Sequence, residues 1–311
     1  MKYAFIFPGQ GSQAIGMGKD FYENFEVAKE MFEIASDILK TDCRKLLFEE
    51  NDLLNLTQYT QPAIFLVSQI AHTILQQESP LLAEFSLGHS LGEISALCVA
   101  LGVGFEDGLR LTQKRGELMA KACEEKDVGM MVVVGLTDAE LEKQCDQARK
   151  AGKSVWCANY NGEGQVVLAG IKSDLTSMQE SLKTLGAKRT LLLPMSVASH
   201  CPLLEPMRKD FVALLQPMLK PKFALPIISN ATTKPYDTDT QALELLSLQL
   251  VSPVFYKQSI LAVDDMVDAY IELGHNNVLK GLNKRLTQKP TFTISNIQTL
   301  QESIAHIQKE Q

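Results

Sequence analysis

Gly88-His89-Ser90-Leu91-Gly92 decides how the chain is read. The five residues fit the pattern G-x-S-x-G. A short apolar run over roughly 83–87 leads into them, and Ile94, Leu97, Cys98 and Leu101 follow on one helical face until Gly102. The setting is therefore strand, sharp turn, helix. Glycines at both ends permit the tight bend, and the bend lifts the serine hydroxyl above the edge of a sheet. The start of the following helix offers unpaired N–H groups to a developing oxyanion. The alternative is a glycine-rich helix start without chemistry; the strand–turn–helix context favours a nucleophilic serine.

Working outward, strand and helix patterns alternate almost throughout, which predicts an α/β fold with a largely parallel sheet. Residues 3–7 form a short apolar strand that stops at Pro8-Gly9-Gln10-Gly11-Ser12-Gln13. Ile64, Val67, Ile70, Ala71, Ile74 and Leu75 have helical spacing, with Thr60 and Pro62 marking the expected start. The middle differs. Met130–Val134 reads as a strand, and Thr137-Asp138-Ala139-Glu140 as a capping box opening a helix to about Ala151. Strands near 154–159 and 165–169 flank the turn Asn161-Gly162-Glu163-Gly164. A helix from Ser173 to Gly186 and a strand over Thr190–Leu193 complete a βαββαβ order, the ferredoxin-like arrangement. Residues 126–196 are thus expected to be a small domain inserted into a larger, α/β-hydrolase-like one made of 1–125 and 197–311. Beyond Pro194, strands are expected at Leu225–Ser229, Ala269–Leu273 and Phe292–Ile294.

Composition narrows the function classes. Of 311 residues, 30 are Lys or Arg and 37 Asp or Glu, a formal net charge of −7. That balance gives no bulk attraction to nucleic acid or anionic lipid. With 45% hydrophobic and 22% charged residues, the chain reads as an ordinary globular protein. No apolar run approaches the ~18–20 residues that span a bilayer, and the N-terminal apolar stretch is too short for a signal peptide. Cys43, Cys98, Cys123, Cys145, Cys157 and Cys201 are scattered without a CxxC. They read as reduced thiols of a cytoplasmic protein, with neither a disulfide frame nor a metal site.

A serine hydroxyl needs a base. His72 and His306 read as surface residues, and His275 follows a strand end and stays a candidate. His89 adjoins the serine, but a sharp turn points neighbouring side chains apart, so it reads as a support of the turn. His200 lies in Ser196-Val197-Ala198-Ser199-His200-Cys201, a small-residue loop at the junction of the two domains. It is either the base or a buried structural histidine. Arg115 stands on one stripe with Leu111, Leu118 and Ala122, so a guanidinium occupies an apolar helix face. It needs an anion there: a substrate carboxylate, or an internal ion partner.

Taken together, Phe5–Gln13, Gly88–Glu93, Lys114-Arg115-Gly116, Gly164–Gly170 and Ser196–Cys201 resemble, in order and spacing, the malonyl-CoA:acyl carrier protein transacylases of fatty acid synthesis. Polyketide acyltransferase domains share the motifs. The resemblance covers essentially the whole chain. It implies Ser90 as nucleophile, His200 as general base and Arg115 as partner of the malonyl carboxylate. It further implies Gln10 and Leu91 as backbone N–H donors to the oxyanion, and Gln249 as a residue placing His200, with a backbone carbonyl in place of a triad aspartate. The chain departs from the family pattern at Gly274-His275-Asn276-Asn277, where Gly-Pro-Gly is common, and at Ala198, where proline is common.

The same resemblance implies malonyl-CoA as substrate, no bound cofactor, and acyl carrier protein as partner, most simply one of fatty acid synthesis. Nothing in the sequence demands an oligomer, and a monomer is expected. Because such carriers are acidic, a local basic patch is expected despite the net charge. Its candidates are Lys188 and Arg189, at the start of the last small-domain strand, and Lys280, Lys284 and Arg285, on a late helix.

Overall fold

Tyr3-Ala4-Phe5-Ile6-Phe7 is apolar without a break, as a strand covered on both faces requires, and all five residues are buried. In a computed structural model, which describes residues 1–309, this run is strand β1 at the centre of a sheet. The last two residues of the expected 197–311 segment lie outside the described residues. The further strands are β2 (Phe85–Gly88), β3 (Val128–Val134), β4 (Val155–Gly162), β5 (Gln165–Ile171), β6 (Arg189–Leu192), β7 (Lys222–Ile228), β8 (Pro235–Thr238), β9 (Ala269–Leu273) and β10 (Thr291–Ile294). The larger sheet has the order β10-β9-β1-β2-β7-β8. Its pairs are parallel except for β8, which lies antiparallel to β7. Alternate residues of β1 face opposite layers: Tyr3, Phe5 and Phe7 join one apolar core, Ala4 and Ile6 the other.

The second sheet is wholly antiparallel, in the order β4-β5-β3-β6. Two-residue periodicity again divides its faces. Met131, Val133 and Leu168 pack under the helices Asp138–Lys150 and Lys172–Thr184. Met130, Val167 and Ala169 face the main core of the molecule. Several ties hold this sheet to the larger unit. Tyr160 N–H donates to the Val254 carbonyl and Val254 N–H to the Ala158 carbonyl, at 2.9 and 2.8 Å. Tyr160 stacks on Phe255. Lys257 bonds Asp138 at 2.6 Å and reaches Glu163 at 3.4 Å.

Four loops leave the carboxyl ends of β1, β2, β7 and β9 on the same edge of the large sheet, where open α/β sheets carry their ligands. The turn after β2 fits because its glycines have no side chain. A Cβ on Gly92 would lie 2.0 Å from the Phe7 carbonyl oxygen of β1, and one on Gly9 would lie 2.3 Å from the His89 carbonyl oxygen.

Some expectations need correction. The helix expected from Thr60 begins at Thr57, so Pro62 lies inside it and forgoes only one backbone bond near its start. His72 is not a surface residue: its ring meets Phe5 edge-on with centroids 5.3 Å apart, and burial pushes its pKa down to about 4. The late helix spans only Val278–Asn283. Lys284 caps it and Arg285 lies beyond, because the chain tightens there into bonds from Arg285 N to Leu282 O and from Leu286 N to Asn283 O.

Gly92→Ala should therefore lose about 3 kcal/mol or more, since backbone would have to move. Gly281→Ala, in an exposed helical position with open space around its Cβ site, should gain about 0.5–1 kcal/mol. Thermal unfolding midpoints of the two variants should move in opposite directions from the parent chain.

Candidate active site

Ser90 sits between β2 and the helix Leu91–Val99 with φ 54° and ψ −105°, outside the regions where a residue with a side chain rests easily. Three bonds hold it there. Ser90 N–H donates to Asn230 Oδ1 at 2.7 Å, and Asn230 Nδ2 donates to the Gly88 carbonyl at 2.6 Å. Asn230 N–H in turn donates to Glu93 Oε2 at 3.0 Å. Asn230 follows the carboxyl end of β7, so a neighbouring strand clamps both sides of the bend.

His200 reaches the same point from the loop after β6, itself with φ 60°. Its Nε2 lies 2.6 Å from Ser90 Oγ, and its Nδ1 lies 2.8 Å from the Gln249 carbonyl oxygen. A carbonyl only accepts, so Nδ1 carries the proton and Nε2 is left to accept one from the serine. Burial, then the nearby Arg115 charge, pushes the imidazole pKa down to about 3, against the opposing bond to Gln249.

Arg115 comes from the helix Phe105–Cys123 and is 1% exposed. Nη1 donates to Gln61 Oε1 at 2.7 Å; Nη2 donates to Ser90 Oγ at 3.2 Å and to Gln249 Oε1 at 3.0 Å. No ion pair to Arg115 exists among the described residues. Gln249 is a junction: its Nε2 donates to the Ser90 carbonyl at 3.0 Å and to Glu93 Oε2 at 2.8 Å.

Gln10 and Leu91 line the same cleft, and the N–H of neither has a hydrogen-bond partner among the described residues. The Gln10 side chain is tied down: Gln61 Nε2 donates to Thr57 Oγ1 at 2.8 Å, and Thr57 Oγ1 donates to Gln10 Oε1 at 3.1 Å. The loop containing Gln10 is also held from β9, where Asn276 Nδ2 donates to the Ser12 carbonyl at 2.9 Å. His89 points away from Ser90 Oγ, toward Asn161 Oδ1 of the small sheet at 2.7 Å. His275 and His306 make no contact with the serine.

The cleft encloses about 160 Å³. Its apolar wall is Met119, Met130, Val132, Val167, Leu193 and Met195, contributed mainly by the small sheet and the segment after β6. No three His, Cys, Asp or Glu side chains converge in a metal-holding group among the described residues. The basic residues fall in two places. Lys188 and Arg189 are exposed at the start of edge strand β6. Lys280, Lys284 and Arg285 lie at the short helix that packs against β4, the opposite edge of that sheet. Three strand spacings of roughly 5 Å separate the two edges.

The structure thus gathers Ser90, His200, Arg115, Gln10, Leu91 and Gln249 at one cleft. The sequence reading missed Asn230, Gln61 and Thr57 and gave Glu93 no role. Thr57 and Gln61 carried a signal as polar residues four apart on a largely buried helix. Asn230 carried only its place after a strand end.

Nuclear magnetic resonance of ring-labelled histidine should show His200 as the neutral Nδ1–H tautomer from about pH 8 to about pH 5. The sign follows from the lowered pKa, which retains the proton-accepting form well below the usual imidazole range. A transition near the ordinary value would contradict the geometry.

The chain is similar to known proteins along nearly its whole length. The Acyl transferase domain family matches residues 4–310. The malonyl CoA-acyl carrier protein transacylase of Bacillus subtilis (strain 168) is 35% identical over 312 residues, covering 99% of this chain and 98% of that protein. The crystal structure of malonyl-CoA:acyl carrier protein transacylase from Helicobacter pylori superposes with a TM-score of 0.96 at 52% identity, over 99% of both chains. A type II polyketide synthase malonyl-transacylase, solved in complex with its acyl-carrier protein, gives 0.95 at 31% identity, over 98% of this chain and 100% of that one. With a family match along nearly its whole length and relatives above 30% identity at nearly full coverage, the chain belongs to the acyl transferase domain family, among the malonyl CoA-acyl carrier protein transacylases.

Proposed function

We propose that the chain transfers a malonyl group from malonyl-CoA to the phosphopantetheine thiol of acyl carrier protein through a malonyl ester on Ser90. The observation carrying this reading is a buried, unpaired guanidinium that donates to the hydroxyl a histidine is set to deprotonate. An acyl group ending in a carboxylate would satisfy Arg115 in bidentate fashion and hold its thioester carbonyl over Ser90.

The steps follow from the proton positions. His200 Nε2 takes the hydroxyl proton as Ser90 Oγ bonds to the thioester carbon. The N–H groups of Gln10 and Leu91 receive the oxyanion, an effect typically worth about 3–4 kcal/mol per donor. The carbon–sulfur bond breaks, and the imidazolium returns its proton to the CoA thiolate. The carrier thiol then attacks the ester by the reverse route, which gives ping-pong kinetics. The Gln249 carbonyl, which accepts from Nδ1–H, takes the orienting part that a carboxylate plays in a triad.

We read residues 126–196 as an inserted ferredoxin-like domain, with 1–125 and 197–311 as the α/β-hydrolase-like catalytic domain. The strand order β4-β5-β3-β6 and the serine turn support this. Acyl carrier protein as partner is supported by the carrier-bound relative. Of the two basic surfaces, Lys280, Lys284 and Arg285 have the closer link to the cleft. The short helix that carries Lys280 and ends at Lys284 follows the loop whose Asn276 holds the Gln10 loop.

Intact-protein mass spectrometry after mixing with malonyl-CoA should show one malonyl addition, absent in Ser90→Ala. Free malonate appearing without an adduct would indicate a hydrolase instead. Arg115→Ala should lose ~2–5 kcal/mol of malonyl transition-state binding, or about thirtyfold to several thousandfold in kcat/KM. Its relative activity with acetyl-CoA, which has no carboxylate, should rise; an equal fall for both donors would make Arg115 structural.

Lys284→Glu with Arg285→Glu should raise KM for the carrier roughly tenfold at low ionic strength, where steering is strongest. Acylation by malonyl-CoA should be nearly unchanged. Normal carrier kinetics in this variant would move the docking surface elsewhere, with Lys188 and Arg189 next to be tested.

A further inference from the structure

Glu93 is a carboxylate in the first turn of a helix otherwise made of buried small and apolar residues, and it is 0% exposed. Its bonds come only from neutral donors: Asn230 N–H at 3.0 Å, Gln249 Nε2 at 2.8 Å and Tyr236 OH at 3.0 Å. Arg115 is its mirror image, a buried cation bonded only to neutral acceptors. The side-chain amide of Gln249 lies between them. Its oxygen accepts from the guanidinium and its nitrogen donates to the carboxylate. A flipped amide would set N–H against N–H and oxygen against carboxylate, so the two charges fix the orientation of Gln249. A polarised amide also transmits charge: each end strengthens the bond at the other.

We propose that Glu93 is a positioning residue of the acyl-transfer site, supplying through the Gln249 amide the standing countercharge to Arg115 and so setting how tightly an incoming carboxylate is held. The inference rests on Arg115 being the carboxylate partner. With Glu93 ionised, the guanidinium is partly satisfied before substrate arrives, and a bound carboxylate shares one cation with a second anion. With Glu93 neutral, the whole field of Arg115 acts on the cleft. A donor without a carboxylate is indifferent to this change. The arrangement moderates the hold on the acyl group, which suits a site that must release what it captures. Burial raises the Glu93 carboxyl to about 7 against its donors and the Arg115 charge, so the test is run near pH 8.5, where the carboxylate is ionised.

The variant is Glu93→Gln, which keeps the shape: the amide oxygen replaces Oε2, and the nitrogen donates to the Tyr236 hydroxyl. Half-saturating concentrations for malonyl-CoA and acetyl-CoA are measured in single-turnover acylation. The half-saturating concentration for malonyl-CoA, taken as a ratio to that for acetyl-CoA, should fall about threefold to tenfold from the parent chain. Tyr236→Phe removes one donor to the carboxylate and weakens its ionised form from the side away from the cleft. It should shift the same ratio the same way by less, and it carries the test if Glu93→Gln does not fold. In an Arg115→Ala background, neither variant should move the ratio. An unchanged ratio in both variants, or both donors weakening together, would overturn the proposal and leave Glu93 a packing residue. The arms separate the two readings. If Arg115→Ala itself spares the preference for malonyl-CoA, the carboxylate reading of Arg115 fails. If it abolishes the preference while the Glu93 and Tyr236 variants keep it, only the countercharge fails.

Discussion

Arg115 carries a permanent charge into a place where water does not reach it, and the neighbouring groups are arranged to hold that charge with dipoles. One guanidinium nitrogen leads through Gln61 and Thr57 to Gln10, a chain in which every donor points away from the cation. The other meets the Ser90 hydroxyl and Gln249, whose side-chain oxygen accepts from it and whose backbone carbonyl sets the tautomer of His200. The Gln10 loop, the Ser90 hydroxyl and the His200 imidazole are therefore each one to three hydrogen bonds from a single side chain. Chains of aligned bonds in a dry interior reinforce one another, so the parts of the site are not independent.

The fold makes this economy possible by bringing four strand ends to one edge. β1 supplies the Gln10 loop, β2 the serine turn, β7 the asparagine that clamps it, and β9 the loop that steadies Gln10 from behind. The second sheet contributes a wall in place of reacting groups. Two-residue periodicity lets one face close over its own helices while the other turns Met130, Val132 and Val167 toward the cleft.

The parts legible in the sequence were those fixed by local rules. The serine turn announces itself because only glycine fits against the β1 backbone. The βαββαβ order shows through capping residues and periodicity, and Arg115 shows through its place on an apolar stripe. What stayed hidden depends on contacts distant along the chain. Asn230 lies 140 residues from the backbone N–H it receives, and Gln61 lies 54 residues from Arg115. Neither residue has a local pattern that betrays its partner. Of the three helices over Lys19–Phe48, two have only six residues, too few to show a period, while Glu26–Leu39 was overlooked although Ala28, Met31, Phe32, Ala35 and Leu39 stand at helical spacing; β8 is a four-residue edge strand beginning with proline. His72 was misjudged because its helix is buried well beyond a single face, so polar neighbours in sequence were no guide to exposure.

The clasp of Lys257 on Asp138 and Glu163, with the backbone bonds between β4 and Val254, makes the small sheet a fixed wall. Discrimination among acyl groups is then divided between two kinds of material. Three of the seven apolar residues lining the cleft are methionines, unbranched side chains that re-form around different shapes at little energetic penalty. At the electrostatic end of the cleft, both terminal nitrogens of Arg115 are hydrogen-bonded and the guanidinium keeps its charge. On the proposed reading of Arg115, such a site would grade acyl groups loosely by girth and strictly by the presence of a negative end. Altering its tolerance for size calls for branched residues at the methionine positions, with the polar lattice left untouched.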